Sequence, residues 1–148
     1  MDLEEIKWFE TKKHGYAHFK GNLRYHIIFS TKYRRKCLDN LKDKVFDAFR
    51  YAESRSDFTI LNMNLDSDHI HLYIEIPPTI SVGSVVNRLK AITTNYLWDR
   101  FDYYLKHFYW KKKRMLWTHG YFASTIGQVS ESIVWKYIDN QGNNKKDK

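Results

Sequence analysis

His69-Ile70-His71-Leu72-Tyr73-Ile74-Glu75-Ile76 alternates strictly between two kinds of side chain. A period of two is that of a β-strand, whose successive side chains leave opposite faces of the sheet. Ile70, Leu72, Ile74 and Ile76 therefore share one face. His69, His71, Tyr73 and Glu75 share the other. Pro77-Pro78 ends the strand, because proline gives no N–H to a ladder. On the upstream side Asp66-Ser67-Asp68 reads as a turn, and Phe58 to Leu65 as a strand leading into it.

Further out, Leu23 to Ser30 predicts another strand, with Tyr25, Ile27 and Phe29 on one face. From Asn40 to about Ser56, Leu41, Val45, Ala48, Phe49 and Ala52 recur at helical spacing. Ser81 suits the N-cap of a helix running to about Phe101, with Val82, Val85, Val86, Leu89, Ile92, Tyr96 and Leu97 as its stripe. Asp102 to Met115 is aromatic and basic and has no clear period. Leu116 to Thr125 predicts a fourth strand, and Gly127 breaks the chain. A last helix is expected from Ser130 to about Gln141, with Glu131 in its first turn where the helix dipole favours an acid. The order strand, helix, strand, strand, helix, strand predicts an α+β fold: a ferredoxin-like, RRM-like split βαβ sandwich with an antiparallel sheet and an extra C-terminal helix. The Ile/Leu face of the third strand should pack under two helices, and the histidine face should point the other way.

The chain has 148 residues, 43% of them hydrophobic, enough for one globular domain with a real core. The domain is expected over residues 22–142. Residues 1–21 read as an extension, with a short helix near Glu4 to Phe9, and 143–148 as a polar tail. No apolar run approaches the roughly 20 residues needed to cross a bilayer, and the acidic start Met1-Asp2-Leu3-Glu4-Glu5 lacks the order of a secretion signal. The single cysteine, Cys37, excludes an intramolecular disulfide and a multi-cysteine zinc site. These features predict a cytoplasmic protein with no membrane role. Twenty-five basic residues against 17 acidic leave a net charge of +8, which suits a polyanionic partner, most often nucleic acid.

His69 and His71 project from one strand face, as two ligands of one metal ion would; two polar residues on a solvated face fit the same pattern. Tyr137 and Gln141, four apart on the expected last helix, share a face. An amide oxygen and a phenol there could serve a metal and a reaction, or Ile133, Tyr137 and Gln141 could be a packing stripe among eleven tyrosines. Lys32-Tyr33-Arg34-Arg35-Lys36 and Lys111-Lys112-Lys113-Arg114 lie beside aromatic residues, a mix that suits single-stranded or hairpin nucleic acid. Asp68, next to the histidine pair, is either a turn residue or an acceptor that orients a ring. His26, His107 and His119 carry no assigned role.

Four blocks in order resemble one family. Asp68-His69-Ile70-His71-Leu72, followed by Pro77-Pro78, resembles the HUH motif of the single-tyrosine insertion-sequence transposases of the TnpA type. Tyr25-His26 with Thr31-Lys32-Tyr33-Arg34-Arg35 is similar to that family's opening strand and basic loop. Trp117-Thr118-His119-Gly120-Tyr121-Phe122-Ala123-Ser124-Thr125-Ile126-Gly127 is similar to the stretch before its catalytic helix. Tyr137-Ile138-Asp139-Asn140-Gln141 resembles its tyrosine motif. The resemblance covers roughly residues 22 to 142. Two features depart from the family: Ala91-Ile92-Thr93-Thr94 follows Lys90 where a glycine and serines are expected, and the extension before Leu23 is longer.

The resemblance implies a transposase that binds hairpins at the ends of a mobile element and cleaves and rejoins single-stranded DNA. Tyr137 would be the nucleophile, giving a 5′-phosphotyrosine linkage. His69, His71 and Gln141 would hold a divalent metal ion, Mg²⁺ or Mn²⁺. Lys32, Arg34, Arg35, Arg88 and Lys90 would contact DNA. The resemblance also implies a homodimer in which one subunit's tyrosine helix can complete the other's histidine site. Alternatives are a domesticated nuclease of the same family that cuts repeat hairpins, a replication-initiator nuclease, a non-catalytic RRM-like nucleic-acid-binding module and a zinc hydrolase. An RRM-like module would carry aromatics on the open sheet face where the third strand has histidines. A zinc hydrolase needs a third histidine or an acid near the pair.

Overall fold

The alternating segment becomes one of the two central strands of a four-stranded sheet. The computed structural model describes residues 23–126. The strands are β1 (Leu23–Ser30), β2 (Thr59–Leu65), β3 (His69–Ile76) and β4 (Phe122–Thr125), and the helices are α1 (Lys42–Ser54) and α2 (Val82–Leu105). The sheet order is β2-β3-β1-β4, and every neighbouring pair is antiparallel. This is the split βαβ arrangement, in which β3 lies between β1 and β2. The expected extension, its short helix, the last helix with Tyr137 and Gln141, and the tail lie outside the described residues.

One core joins the sheet to both helices. Ile70, Leu72, Ile74 and Ile76 of β3 and Ile27 and Phe29 of β1 pack with Val45, Ala48, Phe49 and Ala52 of α1 and Val85, Val86, Leu89 and Leu97 of α2. Burial of apolar area on this scale is the main term that holds such a domain folded. The α1 stripe is the one its spacing predicts, and a tight turn over Asp39–Leu41 leads into it. On α2 the stripe also takes in Thr93 and Trp98. Ser81 caps that helix by accepting a 3.1 Å bond from the Ser84 N–H.

Two boundaries differ from the sequence-based expectation. α2 runs on to Leu105 through a locally non-helical Phe101 (φ −130°, ψ 34°). The aperiodic stretch beyond it folds back onto the core. Trp98 Nε1 donates to the Met115 carbonyl (2.9 Å), and the buried Tyr109 hydroxyl donates to the Lys32 carbonyl (2.7 Å). The fourth strand is shorter than Leu116–Thr125. Trp117 makes a single bridge to Thr31, and regular pairing resumes only at Phe122. The cause is Lys90. Its ammonium donates to the carbonyls of Thr118 (2.7 Å), His119 (3.0 Å) and Gly120 (3.0 Å), so these carbonyls face α2 and not a neighbouring strand.

Trp117 ties the layers together. Its ring meets Phe29 of β1 edge-on (4.9 Å between centroids) and Phe49 of α1 (5.9 Å), and its Nε1 donates to the Thr93 hydroxyl of α2 (2.9 Å). Trp117→Ala should therefore cost about 3–5 kcal/mol of folding stability, measured by urea denaturation. Trp117→Phe should cost clearly less, because it keeps an aromatic ring in the core and loses the hydrogen bond and the volume of the second ring.

Candidate metal centre

β3 is buried along both faces. His69 and His71, first and third in the strand, are each only 2% exposed. The β1–β3 register sets Ser30 opposite His69, Ile28 opposite His71 and His26 opposite Tyr73. Even-numbered β1 residues thus share the histidine face, and His26 sits one diagonal step from His71, within reach of a long side chain.

The imidazole rings form a linked row. His69 Nε2 and His71 Nε2 lie 3.1 Å apart. His71 Nδ1 lies 3.2 Å from His26 Nε2, and those two rings are nearly parallel, with centroids 5.5 Å apart. At the other end His69 Nδ1 lies 2.8 Å from Asp68 Oδ1. The second Asp68 oxygen accepts from Arg34 Nε (3.1 Å). Asp68 is thus both of the things its position suggested: its side chain orients a ring, and its carbonyl anchors the turn by accepting from the Thr31 N–H (2.8 Å).

Burial and partners set the charges. Burial pushes the Asp68 carboxyl up, but hydrogen bonds from His69 and Arg34, with the Arg34 charge, outweigh it and hold the group below the usual carboxylate range. Burial lowers the His26 pKa, which favours a neutral ring.

This donor set suits a divalent transition ion. Neutral imidazole nitrogens are good ligands for such metals, and Asp68 supplies the outer partner that ligating histidines usually have. The 3.1 Å separation of the two Nε2 atoms is short enough for both to reach one ion. Asp66 Oδ2 is 3.5 Å from His69 Nε2. Among the described residues no group of three histidine, cysteine, aspartate or glutamate side chains could hold a metal. A third protein ligand such as Gln141 would come from outside them.

The basic loop is held against this row. Thr31 donates its hydroxyl to the Arg35 carbonyl (2.8 Å), and the Lys32 N–H donates to the Leu116 carbonyl (2.7 Å). Tyr33 (φ 59°) and Arg34 (φ 51°) both adopt the left-handed region, at a cost on the order of 1 kcal/mol each. The turn presents the Tyr33 ring to solvent, 67% exposed, with Lys32 Nζ 5.6 Å and the Arg35 guanidinium 5.9 Å from its centroid. Arg88 and Lys90, on α2, have structural duties. Arg88 Nε donates to the Ser56 hydroxyl (2.7 Å), and Lys90 holds the 118–120 carbonyls. In the second basic run Lys111 pairs with Asp102 (3.1 Å) and Arg114 with Asp99 (2.5 Å). No helix among the described residues is long and apolar enough to cross a membrane.

His26 is the site residue that sequence reasoning left without a role. Its even position in β1, opposite in parity to Tyr25, Ile27 and Phe29, was the available signal. The pairing that turns parity into contact with His71 lies 45 residues away in the chain.

Comparison with known proteins gives this geometry a context. The model of the family described as "Transposase IS200 like" matches residues 19–141. The transposase for insertion sequence element IS200 of Salmonella typhimurium is 35% identical over 127 residues, 84% of this chain and 80% of that protein. The ISDra2 transposase TnpA of Deinococcus radiodurans is 26% identical over 131 residues, 88% and 89% of the two chains. Among solved structures, a protein from Deinococcus radiodurans R1 assigned as a transposase matches with a TM-score of 0.66 at 24% identity, over 87% of this chain and 97% of the other. A REP-associated tyrosine transposase bound to a REP hairpin matches with a TM-score of 0.55 at 12% identity, over 86% and 68%. At these identities the two structures speak to the fold alone, and the fold agrees.

Asp68→Asn keeps the turn and an acceptor but removes the negative charge beside His69. Mn²⁺ affinity, measured by titration of the full chain, should fall roughly tenfold. Unchanged affinity would leave Asp68 a turn residue only.

Proposed function

The chain belongs to the IS200-like transposase family, and from that premise we propose that it cuts and rejoins single-stranded DNA using Tyr137 as nucleophile and a divalent ion held by His69, His71 and Gln141. The observation that carries the reading is the 3.1 Å convergence of His69 Nε2 and His71 Nε2 on a buried strand face. Two histidines on a merely solvated face would have no reason to be buried with their ring nitrogens facing each other. Membership of a transposase family also weighs against the RRM-like binding module.

The reaction is a transesterification. The Tyr137 oxygen attacks a DNA phosphorus in line, the phenolic proton passes to solvent or a nearby base, and the bond from phosphorus to the 3′ oxygen breaks. The products are a 5′-phosphotyrosine linkage and a free 3′-OH. Attack by another 3′-OH reverses the step and reseals DNA, with the bond energy kept in the covalent link. When bound, the divalent ion would supply Lewis-acid polarisation of the phosphate and stabilise the departing oxygen. His69 and His71 would offer their Nε2 lone pairs to it, and Asp68 would keep His69 in the required tautomer. Imidazole nitrogen favours Mn²⁺ over Mg²⁺ by ligand type, although cellular supply favours Mg²⁺.

DNA contact is assigned first to the basic loop. Lys32, Arg34 and Arg35 surround the exposed Tyr33 ring, giving charge for phosphates and a stacking surface for an unpaired base. Arg34 also joins this loop to Asp68 and so to the histidines. Arg88 and Lys90 contribute mainly by shaping α2 and the 118–120 loop, and any phosphate contact would use donors left over from those bonds. The preferred ligand is a DNA hairpin. The net charge of +8 suits a polyanion, and a protein of the same fold has been captured on a REP hairpin. The working unit in this reading is a homodimer in which the Tyr137 segment of one subunit serves the His69–His71 pair of the other.

The test is a covalent adduct assay. The full chain is incubated with labelled single-stranded hairpins taken from the DNA flanking its own coding sequence, with Mn²⁺ present. We expect a denaturation-resistant protein–DNA adduct that is lost in Tyr137→Phe. His69→Ala should abolish cleavage while hairpin binding stays within a few-fold. An adduct that persists in Tyr137→Phe moves the nucleophile elsewhere, and no adduct with any divalent metal ends the catalytic reading. Mixing Tyr137→Phe with His69→Ala chains should restore part of the activity. Failure of that mixture alone would place tyrosine and histidines in the same subunit.

A further inference from the structure

A histidine that binds a metal through one ring nitrogen must carry its proton on the other. For a neutral, metal-binding His69 ring the Asp68 contact fixes the assignment. Its Nδ1 faces the Asp68 carboxylate at 2.8 Å. An ionised carboxylate only accepts. Nδ1 therefore carries the proton, and Nε2 holds the lone pair that points toward His71.

At His71 the Nδ1 contact is of a different kind. Its Nδ1 faces a ring nitrogen of His26 at 3.2 Å, and a ring nitrogen can donate or accept. With all three rings neutral, two proton arrangements fit the same heavy atoms. In one, His26 Nε2–H donates to His71 Nδ1, His71 Nε2–H donates to His69 Nε2, and His69 donates to Asp68. The row is satisfied, but His71 has no lone pair to offer a cation. In the other, the His71 proton sits on Nδ1 and is accepted by His26 Nε2, and both His69 Nε2 and His71 Nε2 present lone pairs to the space between them. Passing from the first to the second moves one proton within His71, from Nε2 to Nδ1, and one within His26, from Nε2 to Nδ1. No ring gains or loses a net proton.

We propose that His26 is a positioning residue for this centre: in the loaded site its Nε2 accepts the Nδ1 proton of His71 and keeps the His71 Nε2 lone pair on the ion. The ring is built to stay there. It is 4% exposed, lies with its plane 16° from that of His71, and meets Phe122 of β4 edge-on at 6.5 Å. The row is then symmetric in function, with an outer acceptor behind each ligand: Asp68 behind His69 and His26 behind His71. The inference rests on the metal reading of His69 and His71.

The test measures Mn²⁺ affinity of the full chain from the free Mn²⁺ signal in electron paramagnetic resonance. His26→Phe keeps a ring and removes the acceptor; His26→Gln offers an amide oxygen. We expect His26→Phe to weaken Mn²⁺ binding about 10- to 100-fold and His26→Gln to recover a large part of that loss, at equal thermal stability. A folded His26→Phe chain with wild-type affinity overturns the proposal, as does His26→Gln binding no better than His26→Phe. The second measurement needs no variant. Long-range ¹H–¹⁵N spectra of the wild-type chain loaded with diamagnetic Zn²⁺ should show His71 protonated at Nδ1 and His26 Nε2 unprotonated; the opposite assignment overturns the proposal even if His26→Phe does not fold. His69→Ala and His71→Ala separate the two levels. If neither weakens Mn²⁺ binding, the metal reading itself fails. If both do and His26→Phe does not, only the role of His26 is lost.

Discussion

The pairing of β1 with β3 is the constraint on which the rest of the structure depends. Eight residues of each strand pair in unbroken register, from Leu23 opposite Ile76 to Ser30 opposite His69. Because side chains alternate with a period of two, this register assigns every residue of both strands to a face at once. Ile27, Phe29, Ile70, Leu72, Ile74 and Ile76 go to the core under the helices. His26, His69 and His71 go to the other side, where they form a row of rings. A slip by one residue would put imidazoles into the apolar core and isoleucines at the site. The hydrophobic core thus guards the geometry of the polar face, which cannot enforce its own register.

The same economy appears around the edges of the sheet. The strained turn at Tyr33 and Arg34 persists because Thr31, Lys32 and Tyr109 pin the backbone around it. In that conformation Arg34 reaches Asp68, whose other oxygen meets His69. A surface that faces solvent, and in our reading DNA, is therefore two side chains away from the candidate metal ligands. Lys90 plays the corresponding part on the other side of the core. Burial lowers its pKa, yet three carbonyls hold the ammonium in place and set the path of the chain from Trp117 into β4.

Aromatic content divides along similar lines. Trp98, Tyr109 and Trp117 are buried and hydrogen-bonded to backbone or to a core hydroxyl, as large amphipathic rings in a core usually are. Tyr33, Tyr103 and Trp110 remain exposed, each with a cation near its face. Of these, Tyr33 is the one beside Arg34, which reaches the histidine row through Asp68, and for that reason the first basic cluster and not the second enters the functional reading. Lys111 and Arg114 of the second cluster are paired with acids of α2.

The sequence by itself determined the order of the strands and helices among residues 23–126 and the face of each residue in the periodic ones. The bounds of β1 and β3 and the buried stripe of α1 follow from local periodicity, because the 2.0 and 3.6 repeats are properties of consecutive residues. His69 and His71 were legible as a pair for the same reason, and the order of the blocks pointed to the family. Tertiary structure decided what depends on residues far apart in the chain. It placed His26 behind His71, made Asp68 a bridge between Arg34 and His69, and used Lys90 to shorten β4. These contacts span 28 to 45 residues of chain, apart from the neighbouring Asp68–His69 pair. No local repeat encodes them, because each follows from strand register and helix packing, which exist only once the core has formed.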